Sequence, residues 1–174
     1  MDSNTVLIGF DFSINKPAMT VYYNKQYYHY FWPIKKIPKK NLKAYNDANV
    51  TVYCRNLESV TKNNFESSLL VLTHTIRSVE LCNKIINDLD NLLFNIIKLN
   101  TETYKLYVCS EGLSFASKGD ATLNLATYKG VLLAKIYEHF GDHLLHLFTY
   151  PPIAIKSTAE CADKESIKDK SKMI

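Results

Sequence analysis

TVLIGFDF (residues 5–12) and YKLYVCSE (residues 104–111) decide the fold, because each is a short apolar run that closes on an acid. β-Branched and aromatic residues suit the pleated, half-buried surface of a sheet, so both segments read as strands. Asp11 and Glu111 then stand at strand ends. Working outward, AMTVYY (18–23) and QYYHYFW (26–32) flank Asn24 and Lys25 and read as a hairpin. Its tyrosines Tyr22, Tyr23, Tyr27, Tyr28 and Tyr30 are expected to place rings on both faces as structural residues.

Residues 33–66 change character: Pro33 and Pro38 frame a lysine-rich stretch, followed by one strand-like piece, NVTVYC, at 49–54. They read as an excursion from the core. From Ser67 to Leu99 the chain lacks Gly and Pro, and Leu70, Ile76, Val79, Ile85, Ile86, Leu89, Leu93, Ile96 and Ile97 recur at helical spacing. A long amphipathic helix follows, whose stripe either covers its own sheet or serves a dimer. A second helix spans about 121–140 and closes at Gly141. The strand LLHLFTY (144–150) stops at Pro151 and Pro152. This order implies an α/β fold, a mixed five-stranded sheet with an antiparallel hairpin group, parallel strands and flanking helices. In such sheets sites form outside the carboxyl ends of strands, where Asp11 and Glu111 sit.

A chain of 174 residues with 47% hydrophobic content has enough apolar mass for one domain with a core, so 1–174 is read as a single domain. A net charge of +4 suits a polyanionic partner without requiring one. Cys54, Cys82, Cys109 and Cys161 are scattered without metal-ligand spacing, which argues against a zinc site or disulfide framework and for a reducing, cytoplasmic setting. No apolar run approaches the roughly 20 residues that cross a bilayer, and no membrane role is expected.

Two carboxylates at neighbouring strand ends suit hard cations such as Mg²⁺ or Mn²⁺. Phosphodiester hydrolysis by two such ions, roughly 4 Å apart, requires several converging acids. Either acid taken alone serves equally well as a turn cap. GFDFSINKPAMTVYYN resembles the first strand and hairpin of RuvC-type Holliday junction resolvases, an RNase H-like family. LYVCSEGLSFASKGDATLNLATYKGVLLAKIYEHF resembles that family's second acidic strand, its DNA-facing loop and a helix whose small residues, here Ala126, Gly130 and Ala134, pack on the sheet. TYPPIAIKSTAECADK resembles its Pro-x-x-x-Lys turn and Ala-Asp-Lys segment. Together the matches cover roughly 1–32 and 104–168.

The resemblance implies that Asp11 and Glu111 are the first two catalytic, metal-binding acids and that Lys156 is the basic residue near the scissile phosphate. It implies Mg²⁺, with Mn²⁺ as a substitute, and a homodimer that nicks branched double-stranded DNA at four-way junctions. A phage or viral member fits the Lys-, Asn-, Ile- and Tyr-rich composition. The family's terminal Asp-x-x-Asp-Ala helix is not found, and the chain from about 163 reads as a truncated helix. Asp163 is the nearest substitute ligand, although an exposed acid in a salt-bridged turn beside Lys164 explains it more simply. Ser157 to Cys161 replace the family's glycine-rich turn.

Candidate contacts to nucleic acid are Ser13 and Lys16 after the first strand, and Phe115 and Lys118 in the loop after Glu111. Lys35, Lys36, Lys39 and Lys40 in the excursion join them, unless that loop is simply solvated. His139, His143 and His146 read as surface and capping residues. Two other readings remain open: an inactive RNase H-like module that binds DNA or protein, and a nuclease of the same fold with another nucleic-acid substrate.

Overall fold

The computed structural model describes residues 4–13, 17–33, 50–54, 67–100, 102–112 and 120–151, with 50–54, 67–74 and 120–121 described by their main chain alone. Along the chain run β1 (Thr5–Asp11), β2 (Ala18–Tyr23), β3 (Gln26–Phe31), β4 (Val50–Cys54), α1 (Ser67–Asp90), β5 (Lys105–Glu111), α2 (Asp120–Phe140) and β6 (Leu144–Tyr150). The sheet order is β4-β3-β2-β1-β5-β6. β1–β2 and β2–β3 are antiparallel, and the other pairs are parallel. All five expected strands are present in a mixed sheet of antiparallel and parallel pairs, packed against helices as the sequence predicts. The sixth strand corrects the reading of 33–66. Val50–Cys54 returns to pair in parallel with β3, from Tyr27↔Val50 to Phe31↔Cys54.

Both helical crossovers, β4–α1–β5 and β5–α2–β6, step in the same direction across the sheet. Right-handed crossovers therefore put both helices on one face, where they pack on each other. That face holds the core. Val6, Ile8 and Phe10 of β1 alternate inward in register with Leu106, Val108 and Ser110 of β5. Met19, Val21, Tyr30 and Trp32 extend this layer toward β3, and Leu81, Ile85, Leu89, Leu132, Ile136 and Phe140 close it from the helices. Trp32 is fully buried and its indole N–H donates to Asp88 Oδ2 at 2.7 Å, which ties the end of β3 to α1. The tyrosines divide as expected. Tyr30 enters the core, Tyr23 and Tyr28 pack against it, and Tyr22 and Tyr27 pair on the other face with centroids 4.8 Å apart.

Three expectations about the helices change. The apolar stripe does face the sheet, yet Ile76 and Ile96 are 49% and 41% exposed. A π-helical turn at Asn91–Ile96 rotates the late part of the stripe, so Leu92 is buried beside the expected Leu93 while Ile96 turns outward. In α2, Gly130 and Ala134 are exposed and a Cβ on Gly130 would meet no atom. Gly130 and Ala134 therefore do not pack on the sheet, while Ala126 is half-buried; Tyr128, Leu132, Ile136 and Phe140 fill the core. Gly141 ends α2 by opening a 3-10 turn, Gly141–His143. Among the described residues, no helix is long and apolar enough to cross a membrane.

Two tight bends use left-handed backbone without glycine. Asn24 and Lys25, at φ 48° and 64°, form the two-residue hairpin turn whose twist matches the strands. Lys98, at φ 57°, turns the chain after the π-helical segment, and the Leu99 N–H then donates to the Leu93 carbonyl at 2.9 Å. A left-handed residue with a Cβ costs roughly 1–2 kcal/mol, part of which glycine returns as chain entropy. Lys98→Gly is expected to stabilise the fold by about 0.5–1 kcal/mol, a rise of roughly 1–4 °C in Tm by calorimetry. A lower Tm would show that the lysine side chain contributes more than its backbone strain costs.

Candidate active site

β1 and β5 pair in parallel from Thr5↔Lys105 to Phe10↔Ser110. Asp11 and Glu111 are the next residue on each strand, so the same register places them at equivalent positions on adjacent strands. Strands in a sheet lie about 4.8 Å apart, within range of two carboxylates sharing one cation. Phe10 and Ser110 face the helices, and the pleat turns Asp11 and Glu111 to the opposite face. Beside them on that face is Gly9, above which a Cβ would meet no atom. An aromatic row flanks them on the β5–β6 side, where Tyr107–His146, His146–Phe148 and Phe148–Tyr150 have centroids 5.1, 5.1 and 5.8 Å apart.

Glu111 pairs with Tyr150 of β6, and the ladder continues one step further with a 2.6 Å bond from the Gly112 N–H to the Tyr150 carbonyl. Glycine eases the approach there, since a Cβ would stand 3.0 Å from that oxygen and 3.4 Å from Pro151, a tight contact that the β6 backbone would have to relieve. Ser110 Oγ and Thr149 Oγ1, 3.2 Å apart, add a second cross-strand link just before the site. Beneath the strand ends, the Lys129 Nζ of α2 donates to the main-chain carbonyl of Glu111 at 2.7 Å. A cleft of about 570 Å³ opens beside it, lined by Gly112, Ala126, Lys129, Gly130, Leu133, Thr149 and Pro151.

The electrostatics follow from this placement. Asp11 keeps an exposed surface, yet the surrounding protein withdraws enough water to raise its carboxyl above the ordinary value of 3.8. Burial lowers the Lys129 ammonium, while the nearby Cys109 and Glu111 favour its charged form. Cys82 and Cys109 are free thiols, and burial pushes Cys82 up to about 12, which makes it inert.

Among the described residues, no group of three or more His, Cys, Asp or Glu could hold a metal. Two carboxylates nevertheless fit a single Mg²⁺, which is usually held by one or two acids with water and substrate phosphate completing the shell. Of the residues read from sequence, the structure brings Asp11 and Glu111 together and leaves Ser13 half-buried two residues past Asp11. Lys16, Lys35, Lys36, Lys39, Lys40, Phe115, Lys118, Lys156 and Asp163 lie outside the described residues. The histidines have partners of other kinds. His139 pairs with Asp90 at 3.0 Å, His143 stacks on Tyr104 with centroids 3.9 Å apart, and His146 stacks on Phe148. Lys129 was not singled out in the sequence. Its signal was present, since it falls on the apolar line of Leu125, Leu132 and Ile136 where a lysine has no hydrophobic reason to be.

No protein-family model matches this sequence, and no curated relative matches it. Among solved structures the chain is similar to T. thermophilus RuvC in complex with a Holliday junction substrate, at 11% identity and a TM-score of 0.40, covering 89% of this chain and 69% of that one. It is also similar to the Thermus thermophilus RuvC structure, at 14% identity and a TM-score of 0.39, covering 93% and 75%. The likeness is one of fold.

The raised carboxyl of Asp11 has a defined pH signature. Well below 3.8, Asp11 is protonated in both folded and unfolded chains and costs nothing. As pH rises through that value the unfolded chain ionises first, and the penalty on the folded chain is complete once the folded carboxyl has also ionised. In metal-free protein, Asp11→Asn is expected to raise Tm at neutral pH, with the gain vanishing in acid. A loss of stability at neutral pH would mean that the carboxylate is held by favourable partners.

Proposed function

We propose that this chain is a metal-dependent nuclease of RNase H-like fold, with 1–174 acting as one nuclease domain. The observation that carries the reading is the register that sets Asp11 and Glu111 side by side at the carboxyl edge of the central strands. Asp11 and Glu111 would hold the divalent cation, Mg²⁺ or Mn²⁺. When bound, such an ion polarises a phosphoryl oxygen and lowers the pKa of its water. The chain's own part is to fix the two carboxylates on rigid strands, so that little reorganisation is needed when charge develops on a phosphate. Lys156 is assigned to the scissile phosphate by the sequence resemblance, with Asp163 as the candidate further ligand.

At the finer level, the substrate is a four-way DNA junction and the active form a homodimer, as the motifs around Asp11, Glu111 and Lys156 suggest. Ser13, Lys16, Phe115, Lys118 and the lysines at 35, 36, 39 and 40 would meet the DNA, mainly through phosphates. A cytoplasmic site of action agrees with the cysteine pattern. The second reading, a module that binds DNA without cutting it, is favoured by one observation. The described residues supply two carboxylates, whereas two-ion hydrolysis uses more.

A labelled four-way junction with Mg²⁺ or Mn²⁺ separates these readings. Paired nicks that fall at least about a hundredfold in Asp11→Asn and Glu111→Gln are expected, since each ligand supports several kcal/mol of charge stabilisation. Binding without cutting would favour the inactive module. Equal cutting of linear duplex or RNA–DNA hybrid would keep the nuclease and remove the junction.

A further inference from the structure

Lys129 is 9% exposed and carries its ammonium to a main-chain oxygen 18 residues earlier in the chain. A lysine is a costly way to join a helix to a sheet, because packing withdraws part of the water from its charge. What it grips is specific. The Glu111 carbonyl and the Gly112 N–H belong to one planar peptide unit and point in opposite directions. Lys129 holds the oxygen at 2.7 Å, and the Tyr150 carbonyl accepts from the nitrogen at 2.6 Å. The peptide that follows Glu111 is therefore clamped at both ends, by α2 on one side and β6 on the other.

The two ends of this peptide face different neighbours. Alternate peptides of β5 face β1 and β6, and the Gly112 N–H faces β6, so the Glu111 carbonyl faces β1, beyond the last pair Phe10↔Ser110. Lys129 reaches that oxygen from α2, just past the last paired residues of β1 and β5. We propose that Lys129 is a positioning residue that locks the Glu111–Gly112 peptide and so fixes the Glu111 carboxylate against Asp11 for cation binding. This rests on the reading of Asp11 and Glu111 as metal ligands. Groups that orient ligands typically change metal affinity by about 10–100-fold when removed.

The test uses the full chain with Lys129→Met, Lys129→Gln and Lys129→Arg, the glutamine variant covering the case in which methionine does not fold. In metal-free protein, amide exchange at Gly112 is expected to speed up by roughly tenfold or more in the Met and Gln variants while Val108 is unchanged, with Arg retaining protection. Mn²⁺ affinity, read by calorimetric titration, is expected to fall by about tenfold in the same variants and to recover with Arg. Unchanged exchange at Gly112 overturns the clamp. Faster exchange with unchanged or tighter Mn²⁺ binding overturns its link to the carboxylates, leaving a structural bond or a repelling charge. If the unsubstituted chain binds no Mn²⁺, the nuclease reading fails, and the exchange data still decide the clamp.

Discussion

The parallel pairing of β1 with β5 is the constraint on which the rest depends. It joins the antiparallel hairpin group to the helical crossovers, and its inward residues, Val6, Ile8 and Phe10 with Leu106, Val108 and Ser110, form the middle of the core. A shift of one residue would turn every one of these side chains to the other face, so burial of the apolar set also fixes the register. The same register carries Asp11 and Glu111 out together. The position of the two acids is thus a by-product of hydrophobic packing, and the site inherits the rigidity of the core.

That rigidity coexists with charges held where water is scarce. Asp11 is raised by burial, and Lys129 is sunk beneath the strand ends where burial lowers it. An apolar residue at 129 would be easier to fold around. Proteins carry such groups where a bound cation or a reacting phosphate later makes use of them, which is why perturbed ionisable groups gather at functional sites. Gly112 belongs to the same arrangement, since without a Cβ it lets β5 approach Tyr150 and Pro151 closely while its peptide is held from both sides.

Most of the sheet was legible in the sequence because its strands announce themselves locally. AMTVYY and LLHLFTY are bounded by turn residues and appear at their expected limits, Ala18–Tyr23 and Leu144–Tyr150. β4 was visible as a strand-like piece, but its pairing with β3 is a long-range choice that no local pattern encodes. Periodicity carried the helix reading to Leu99 and missed the π-helical turn, because one residue of extra winding leaves the apolar count intact while rotating the face. The acids Asp11 and Glu111 were legible as ends of apolar runs. Lys129 stands out only as a lysine in an apolar line; its role is not legible, because its partner is a main-chain oxygen that any residue at 111 would supply. Small residues in α2 misled in the opposite sense, since Gly130 and Ala134 look made for close packing and yet face outward.

Whether the ends of β1 and β5 form one cation site can be read by paramagnetic broadening. Trace Mn²⁺ added to the ¹⁵N-labelled chain is predicted to erase the amide signals of Asp11, Phe12, Glu111 and Gly112 first, and excess Mg²⁺ to restore them. Broadening centred instead on the exposed His139–Asp90 pair, or spread evenly over the surface, would contradict the account.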